Sequence, residues 1–166
     1  MNAKDQHETP RDGAVISGLL HVAIKTHDLE ATRRFYCDVI GLTEAFRPDF
    51  GYPGAWLAIP TPIGTAIMHI YAGRAALDAK GEIPVGMGAI DHVSLVASGY
   101  HAFIARFRNA GVEWREFLVP NTTLWQLFVH DPSGVQLELT FEGRAEAGPP
   151  PYMSEARRYR AFAAPA

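Results

Sequence analysis

The chain has 166 residues, 48% of them hydrophobic, and a formal net charge of −3 at pH 7. Because no excess of basic residues is present, nucleic acid and anionic membrane surfaces are not expected partners. No apolar run approaches the roughly 18 residues that a membrane span requires, and residues 1–12 are too polar for a signal peptide, so we expect a cytoplasmic protein. The single cysteine, Cys37, excludes an intrachain disulfide.

Residues 1–16 are charged and polar, and we expect them to form a disordered arm. A first module follows at residues 17–73 and begins with a short apolar strand at 19–24. Apolar residues then recur at three- and four-residue spacing, which predicts a helix from Asp28, a suitable N-cap, to Ile40. Three further strands are predicted at residues 42–46, 55–59 and 65–72. The order of elements is therefore βαβββ.

Residues 74–88 form a connector containing Gly and Pro, and the same order of elements then recurs in a second module at residues 89–143. The predicted second set comprises a strand at 90–97, a helix at 100–110 and strands at 113–119, 125–130 and 135–141. The C-terminal tail, residues 144–166, is predicted to contain a short Arg-rich helix at 154–164. The sequence thus predicts an α+β fold of two tandem βαβββ modules that form a curled mixed sheet with a central cleft.

The two modules carry polar side chains at matched positions, which indicates an internal duplication. His92 follows His21 by 71 residues, and Glu138 follows His69 by 69 residues. Each of the four belongs to the predicted first or last strand of its module. Since imidazole and carboxylate groups suit Zn, Ni, Mn or Fe, the four residues predict a divalent metal site.

Side-chain alternation indicates where these candidate ligands point. Val22 and Ile24 lie in the opposite phase to His21, and apolar residues flank the other three candidates in the same way. The apolar residues are expected to face the helices, so the ligands share the opposite face. A single strand histidine is usually a hydrogen-bonded core residue, but four matched positions favour ligands that converge at the floor of a cleft.

The loop at residues 47–56 is long, aromatic and stiffened by proline, a composition that suits closure over a small molecule. Arg47 is suited to pair with a carboxylate or phosphate of the substrate, although a solvated surface arginine is an equal alternative. Trp56, Tyr71 and Gln126 complete the predicted substrate-binding residues.

Three stretches of the chain resemble the vicinal oxygen chelate superfamily: LHVAI at 20–24, DLEATRRFYCDVIGL at 28–42 and DPSGVQLEL at 131–139. That superfamily includes glyoxalase I, methylmalonyl-CoA epimerase, the fosfomycin-modifying thiol transferases, extradiol dioxygenases and the metal-free bleomycin-resistance proteins. The resemblance covers about residues 18–143. It implies that the metal ligands are His21, His69, His92 and Glu138.

The resemblance also implies an activity and an assembly. It points to a metal-dependent enzyme whose ion chelates vicinal oxygens of a small substrate for lyase or isomerase chemistry, with Glu138 and His69 as catalytic residues. The alternatives are an extradiol-type ring-cleaving dioxygenase and a metal-free binding protein of the bleomycin-resistance type. His69 departs from the glyoxalase I pattern, which has glutamate there, whereas His21, His92 and Glu138 match the dioxygenases. A homodimer is expected.

Overall fold

A computed structural model describes residues 19–60 and 66–160, and its strands form two four-stranded mixed sheets. The first module contains β1 (Val22–Lys25), α1 (Leu29–Arg34), a π-helical segment (Phe35–Ile40), β2 (Thr43–Ala45), β3 (Gly54–Ala58) and β4 (Ala66–Tyr71). The second contains β5 (Val93–Val96), α2 (Tyr100–Ala110), β6 (Trp114–Leu118), β7 (Leu124–His130) and β8 (Gln136–Glu142). Short 3₁₀ helices at Gly73–Ala76 and Gly143–Ala145 follow the last strand of each module.

The two sheets have the same topology. Their strand orders are β1-β4-β3-β2 and β5-β8-β7-β6. In each sheet the first strand pairs with the last in parallel, and the remaining pairs are antiparallel. A parallel pair requires a crossover connection, which the helix of each module supplies. The predicted α+β fold with two tandem βαβββ modules is confirmed.

The predicted helix over residues 28–40 forms in two parts. Asp28 caps its start, since its Oδ1 accepts a hydrogen bond from the Ala31 backbone N–H at 2.9 Å. Beyond α1 the turns widen into the π-helical segment, which ends when Gly41 adopts a φ of 91° and donates to the Tyr36 carbonyl. The segment buries four side chains: Phe35, Tyr36, Val39 and Ile40.

The hydrophobic core lies between the helices and the apolar faces of the sheets. Ile24, Met68 and Ile70 are at most 6% exposed, and Leu137 and Leu139 are at most 1% exposed. The predicted alternation is therefore observed in both modules. One cluster of buried residues includes side chains from both modules.

Two hydrogen bonds also join the modules. The buried Tyr36 hydroxyl donates to Asp131 Oδ2 at 3.1 Å, and the Arg106 guanidinium donates to the Val39 carbonyl at 3.1 Å. Burial raises the pKa of Tyr36 well above its ordinary value, and the neighbouring Asp131 charge adds to this. The Tyr36 hydroxyl therefore remains a donor across the physiological pH range.

Three expectations from the sequence need comment. The predicted helix at 154–164 is wrong over its described part, because residues 155–157 form a turn and Arg158 bridges to Glu116 of β6. The Arg157 and Arg158 N–H groups donate to the Ser154 carbonyl, but the helix does not continue, because the Arg157 carbonyl and the Tyr159 N–H pair with Glu116 at the edge of β6. Strands β1 and β5 begin one residue after His21 and His92, so both histidines precede their strands. The arm at 1–16 and residues 161–164 lie outside the described residues.

Within the described ranges, the helices are too short and insufficiently apolar for any of them to traverse a membrane.

Candidate functional site

The second module holds a polar pair formed by His92 and Glu138. Glu138 lies on β8 and is 7% exposed, and its Oε1 accepts hydrogen bonds from the hydroxyls of Ser94 (2.5 Å) and Thr140 (2.8 Å). Ser94 is in register with Glu138 across the parallel β5–β8 pair, which explains why these side chains meet. The other oxygen, Oε2, faces His92 Nε2 at 3.4 Å.

The orientation of His92 is fixed by Asp91. His92 Nδ1 lies 2.7 Å from Asp91 Oδ1, and because an ionised carboxylate only accepts, Nδ1–H is assigned as the donor. This hydrogen bond is the main cause that holds the pKa of Asp91 below its ordinary value, followed by one from Tyr159. Gln136 Nε2 adds hydrogen bonds to the Asp91 carbonyl (3.1 Å) and to Oδ1 (3.3 Å). The other ring nitrogen, Nε2, faces Glu138 Oε2.

This pair has the geometry of two ligands of one ion. Ligand atoms about 2.1 Å from a tetrahedral ion stand about 3.4 Å apart, and His92 Nε2 and Glu138 Oε2 are separated by 3.4 Å. A carboxylate that orients a histidine from behind is also typical of metal sites. The donor set in the second module therefore fits a divalent cation.

The first module presents a different arrangement. The rings of His21 and His69 stack with centroids 3.8 Å apart and an interplanar angle of 17°. Trp56 stacks on the other side of His69 at 4.3 Å and 9°. The nitrogen lone pair of a histidine lies in the plane of its ring. Because the His21 and His69 planes are nearly parallel, no point close to both rings lies in both planes. One ring must rotate before both histidines can bind the same ion.

His69 is the more buried member of this stack, with 9% of its surface exposed. Burial is the main cause that lowers the pKa of His69 from 6.5, and electrostatic interactions with His21 and Arg47 lower it further. His69 is consequently a neutral imidazole at pH 7, the form that binds a metal or accepts a proton.

The predicted substrate residues of the first module surround this stack. The Arg47 guanidinium lies 4.9 Å from the ring centroids of both Phe50 and Tyr52, and it donates to the Tyr52 carbonyl at 3.1 Å. Phe50 reaches Trp56 at 5.9 Å, and Tyr52 meets Tyr71 edge to face at 5.8 Å. One aromatic cluster therefore includes Arg47, Trp56 and Tyr71. The Arg47 guanidinium contacts residues of its own loop.

The fourth predicted substrate residue, Gln126, lies in the second module. It is in register with Thr140 on β8, and its Nε2 lies 3.5 Å from the Thr140 hydroxyl. Thr140 in turn donates to Glu138. Gln126 is thus one hydroxyl group away from the candidate metal ligand.

The four predicted ligands form two pairs. Within residues 19–60 and 66–160, no three His, Cys, Asp or Glu side chains are arranged to hold a single ion. His21 lines a cavity of about 460 Å³ at the boundary between β1 and β5, and His92 lines a neighbouring cavity of about 450 Å³. Ser94 lines both cavities. One member of each pair, His21 or His92, therefore lines a cavity at the boundary between the modules.

Four residues of the site were not predicted from the sequence. Asp91 adjoins His92, and Ser94 and Thr140 lie in phase with the candidate ligands, so the strand alternation could have indicated them. Tyr159 carries no such signal. Its ring stacks on Phe128 at 3.6 Å and 6°, and its hydroxyl donates to Asp91 Oδ1 at 3.1 Å.

Comparison with known proteins places these features in a family context. Residues 18–139 match the model of the Glyoxalase/Bleomycin resistance protein/Dioxygenase superfamily. No curated protein matches the sequence.

Several solved structures share the fold. The fosfomycin resistance protein FosX from Listeria monocytogenes has a TM-score of 0.58 at 17% identity over 76% of this chain and 94% of its own. A putative glyoxalase family protein from Bacillus anthracis has a TM-score of 0.58 at 20% identity, covering 78% and 98%. The lactoylglutathione lyase from Agrobacterium tumefaciens has a TM-score of 0.57 at 18% identity, covering 78% and 97%. At these identities the likeness concerns the fold alone.

Proposed function

We propose that this chain, which belongs to the Glyoxalase/Bleomycin resistance protein/Dioxygenase superfamily, is a metal-dependent enzyme that acts on a small substrate with two neighbouring oxygens. The proposed chemistry is that of a lyase or isomerase. The observation that carries the proposal is the 3.4 Å separation of His92 Nε2 and Glu138 Oε2, with Asp91 oriented behind the histidine. The divalent ion, when bound, supplies Lewis-acid polarisation of the substrate oxygens.

His92 and Glu138 would bind the ion with His21 as the third ligand, since two histidines and a carboxylate form a common facial set. One chain presents His21 and the His92–Glu138 pair in different modules. We therefore propose a homodimer in which His21 of one copy completes the pair of the other. Apolar side chains near these residues are available for such an interface: Leu19 (86% exposed), Leu20 (66%), Ile90 (62%) and Val96 (97%).

The proton transfer is assigned to His69 in preference to Glu138. Two hydroxyl donors already occupy Glu138 Oε1, and Oε2 faces the metal position. His69 is neutral at pH 7 because burial lowers its pKa, so an unprotonated ring nitrogen is available. Trp56 stacks on the face of the His69 ring opposite His21 and keeps the ring in place.

Metal analysis of reconstituted protein tests this function. Wild-type protein should retain close to one divalent ion per chain, and His92→Ala should lose it, because Glu138 and His21 of the other copy would be the only ligands left from the set of three. His27→Ala is the matched control, since His27 is exposed and lies outside both pairs. A His92→Ala protein that keeps full occupancy would contradict the assignment. A wild-type protein that stays metal-free yet binds an aromatic ligand would support a binding module instead.

A ring-cleaving dioxygenase is the second candidate function. The specific observation that favours it is the aromatic lining near both pairs, formed by Trp56, Tyr52 and Tyr71 in one module and Phe128 in the other. Such surfaces suit a planar aromatic substrate. Oxygen uptake with catechols by the Fe(II)-loaded protein selects this reaction, and its absence with a Zn- or Ni-dependent activity selects the lyase or isomerase.

A further inference from the structure

The C-terminal tail lies beside β6, the edge strand of the second sheet. The Glu116 backbone N–H donates to the Arg157 carbonyl at 2.6 Å, and the Tyr159 N–H donates to the Glu116 carbonyl at 2.9 Å. The Arg157 guanidinium lies 3.5 Å from the centre of the Trp114 ring. These contacts hold the backbone on both sides of residue 158 and so determine where the Tyr159 side chain lies.

Tyr159 lies beside the candidate metal ligands. Its ring is stacked on Phe128, which is in register with Glu138 and meets His92 edge to face at 5.7 Å. Phe117 contacts the Tyr159 ring edge to face at 6.3 Å. The tyrosine thus occupies the ligand-bearing face of the sheet, not the core face.

The Tyr159 hydroxyl is connected to His92 through one oxygen atom. Asp91 Oδ1 accepts from the Tyr159 hydroxyl at 3.1 Å and lies 2.7 Å from His92 Nδ1. The Asp91 side chain is 61% exposed, so burial does little to hold it. Hydrogen bonds from Tyr159 and Gln136 supply the restraint that packing does not.

We propose that Tyr159 is a positioning residue, which holds His92 in its metal-binding orientation through Asp91 and so makes the C-terminal tail part of the site. The inference rests on the proposed metal-binding function. Tyr159 lies 20 residues beyond the end of the family match at residue 139. The contact is therefore made by a residue outside the matched part of the chain.

The simpler alternative is that the tail only covers the exposed edge of β6. Tyr159→Phe separates the two roles, because it keeps the stacked ring and removes the hydroxyl. Tyr159→Ala removes both. Tyr152→Phe is the matched control, since Tyr152 belongs to the same tail and is 90% exposed.

Zn²⁺ affinity, measured by competition with a chromophoric chelator, is the first readout. Loss of a group that orients a metal-binding histidine typically weakens binding by about 10–100-fold, and we expect Tyr159→Phe to weaken Zn²⁺ binding by at least about 10-fold. Tyr152→Phe should bind like wild type. Tyr159→Phe combined with Asp91→Asn should lose no more affinity than Asp91→Asn alone, because both changes break the same connection.

The ¹⁵N NMR signals of His92 in metal-free protein are the second readout. Wild type should show a hydrogen-bonded Nδ1–H, and Tyr159→Phe should show a shifted or broadened Nδ1 signal, because Asp91 is then less restrained. Unchanged Zn²⁺ affinity together with an unchanged His92 signal would overturn the inference and leave the tail as an edge cover.

The same experiments separate this inference from the proposed function. If wild type and His92→Ala bind Zn²⁺ equally, the metal function fails. The NMR comparison then decides alone whether Tyr159 positions His92: a changed signal in Tyr159→Phe supports it, and an unchanged signal refutes it.

Discussion

The two modules place their candidate ligands at equivalent positions but surround them differently. In the second module, His92 donates a hydrogen bond to Asp91, and Glu138 accepts hydrogen bonds from Ser94 and Thr140. In the first module, the two histidines are members of a stack of three rings that includes Trp56. The polar neighbours hold His92 and Glu138 with Nε2 and Oε2 3.4 Å apart, whereas the surroundings of His69 bury it and keep it neutral.

This difference shows which structural features the two copies of a duplicated fold share. The βαβββ topology reproduces the backbone position and the phase of each side chain. It does not reproduce the neighbours that decide whether a side chain is ready to bind an ion or to accept a proton. We therefore assign metal binding chiefly to the second module, and proton transfer and aromatic contacts to the first.

Replacing one ligand-position residue in each module should give the largest contrast. Glu138→Gln removes the charge that faces His92, and we expect its loss of Zn²⁺ affinity to exceed the about 10–100-fold typical of groups behind a ligand. His69→Gln should cost much less, because its ring is stacked with His21 in an orientation that does not share an ion. Competition titration measures both. Equal losses would refute the division of roles between the modules.

Removing the hydroxyl donors to Glu138 should weaken metal binding by the second module. Ser94→Ala and Thr140→Val each remove one hydrogen bond to Glu138 Oε1, so the carboxylate loses orientation. We expect Zn²⁺ affinity to fall by about 10-fold in each variant, the lower end of the range for such groups. Thr43→Val is the control, because Thr43 is exposed on β2 and its hydroxyl donates to the Ala58 carbonyl, away from Glu138. An affinity unchanged in both variants would show that these hydroxyls do not orient Glu138.

The neutral state of His69 predicts a pH dependence of stability. Folding lowers the pKa of His69, so at pH values between the folded value and 6.5 the unfolded chain binds more protons than the folded chain. The free energy of unfolding should therefore decrease as pH falls from about 6.5 through the folded pKa. Denaturant unfolding in the presence of EDTA should show a shallower decrease for His69→Gln. His27→Gln, a change at an exposed histidine outside both pairs, is the control, and a His69→Gln slope equal to wild type would contradict the prediction.

Most of the fold could be predicted from the local periodicity of the sequence. Helix α2 spans Tyr100–Ala110 as predicted, because its aromatic stripe and the terminating Gly111 are both local signals. Strand phase correctly placed Met68 and Ile70 in the core and His69 on the opposite face. The π-helical segment was not predicted, because a widened turn depends on how Tyr36 and its neighbours pack against the rest of the molecule.

The site was only partly predictable. Pairing of His21 with His69 and of His92 with Glu138 follows from the parallel contact between the first and last strands of each module. The relation between the two pairs depends on how modules and copies assemble, which local patterns do not contain. Tyr159 was missed because the Arg-rich tail resembles a helix locally, whereas the edge of β6 offers it backbone hydrogen bonds.

Replacing Arg47 should have the smallest effect of these changes on the difference between the modules. Its positive charge is the third of three causes that lower the pKa of His69, after burial and His21. Arg47→Met keeps much of the apolar contact with Phe50 and Tyr52 but removes the charge and the hydrogen bond to the Tyr52 carbonyl. We expect the pKa of His69 to rise slightly and the free energy of unfolding to fall by about 1 kcal/mol.

The histidine Cε1–H shifts in an NMR titration measure the first effect of Arg47→Met, and denaturant unfolding measures the second. Arg74→Met is a suitable control, because Arg74 is an exposed arginine that is not among the causes of the His69 shift. A pKa of His69 that stays at the wild-type value in Arg47→Met would show that burial and His21 alone keep the imidazole neutral. The aromatic loop would then influence the first module through packing and not through charge.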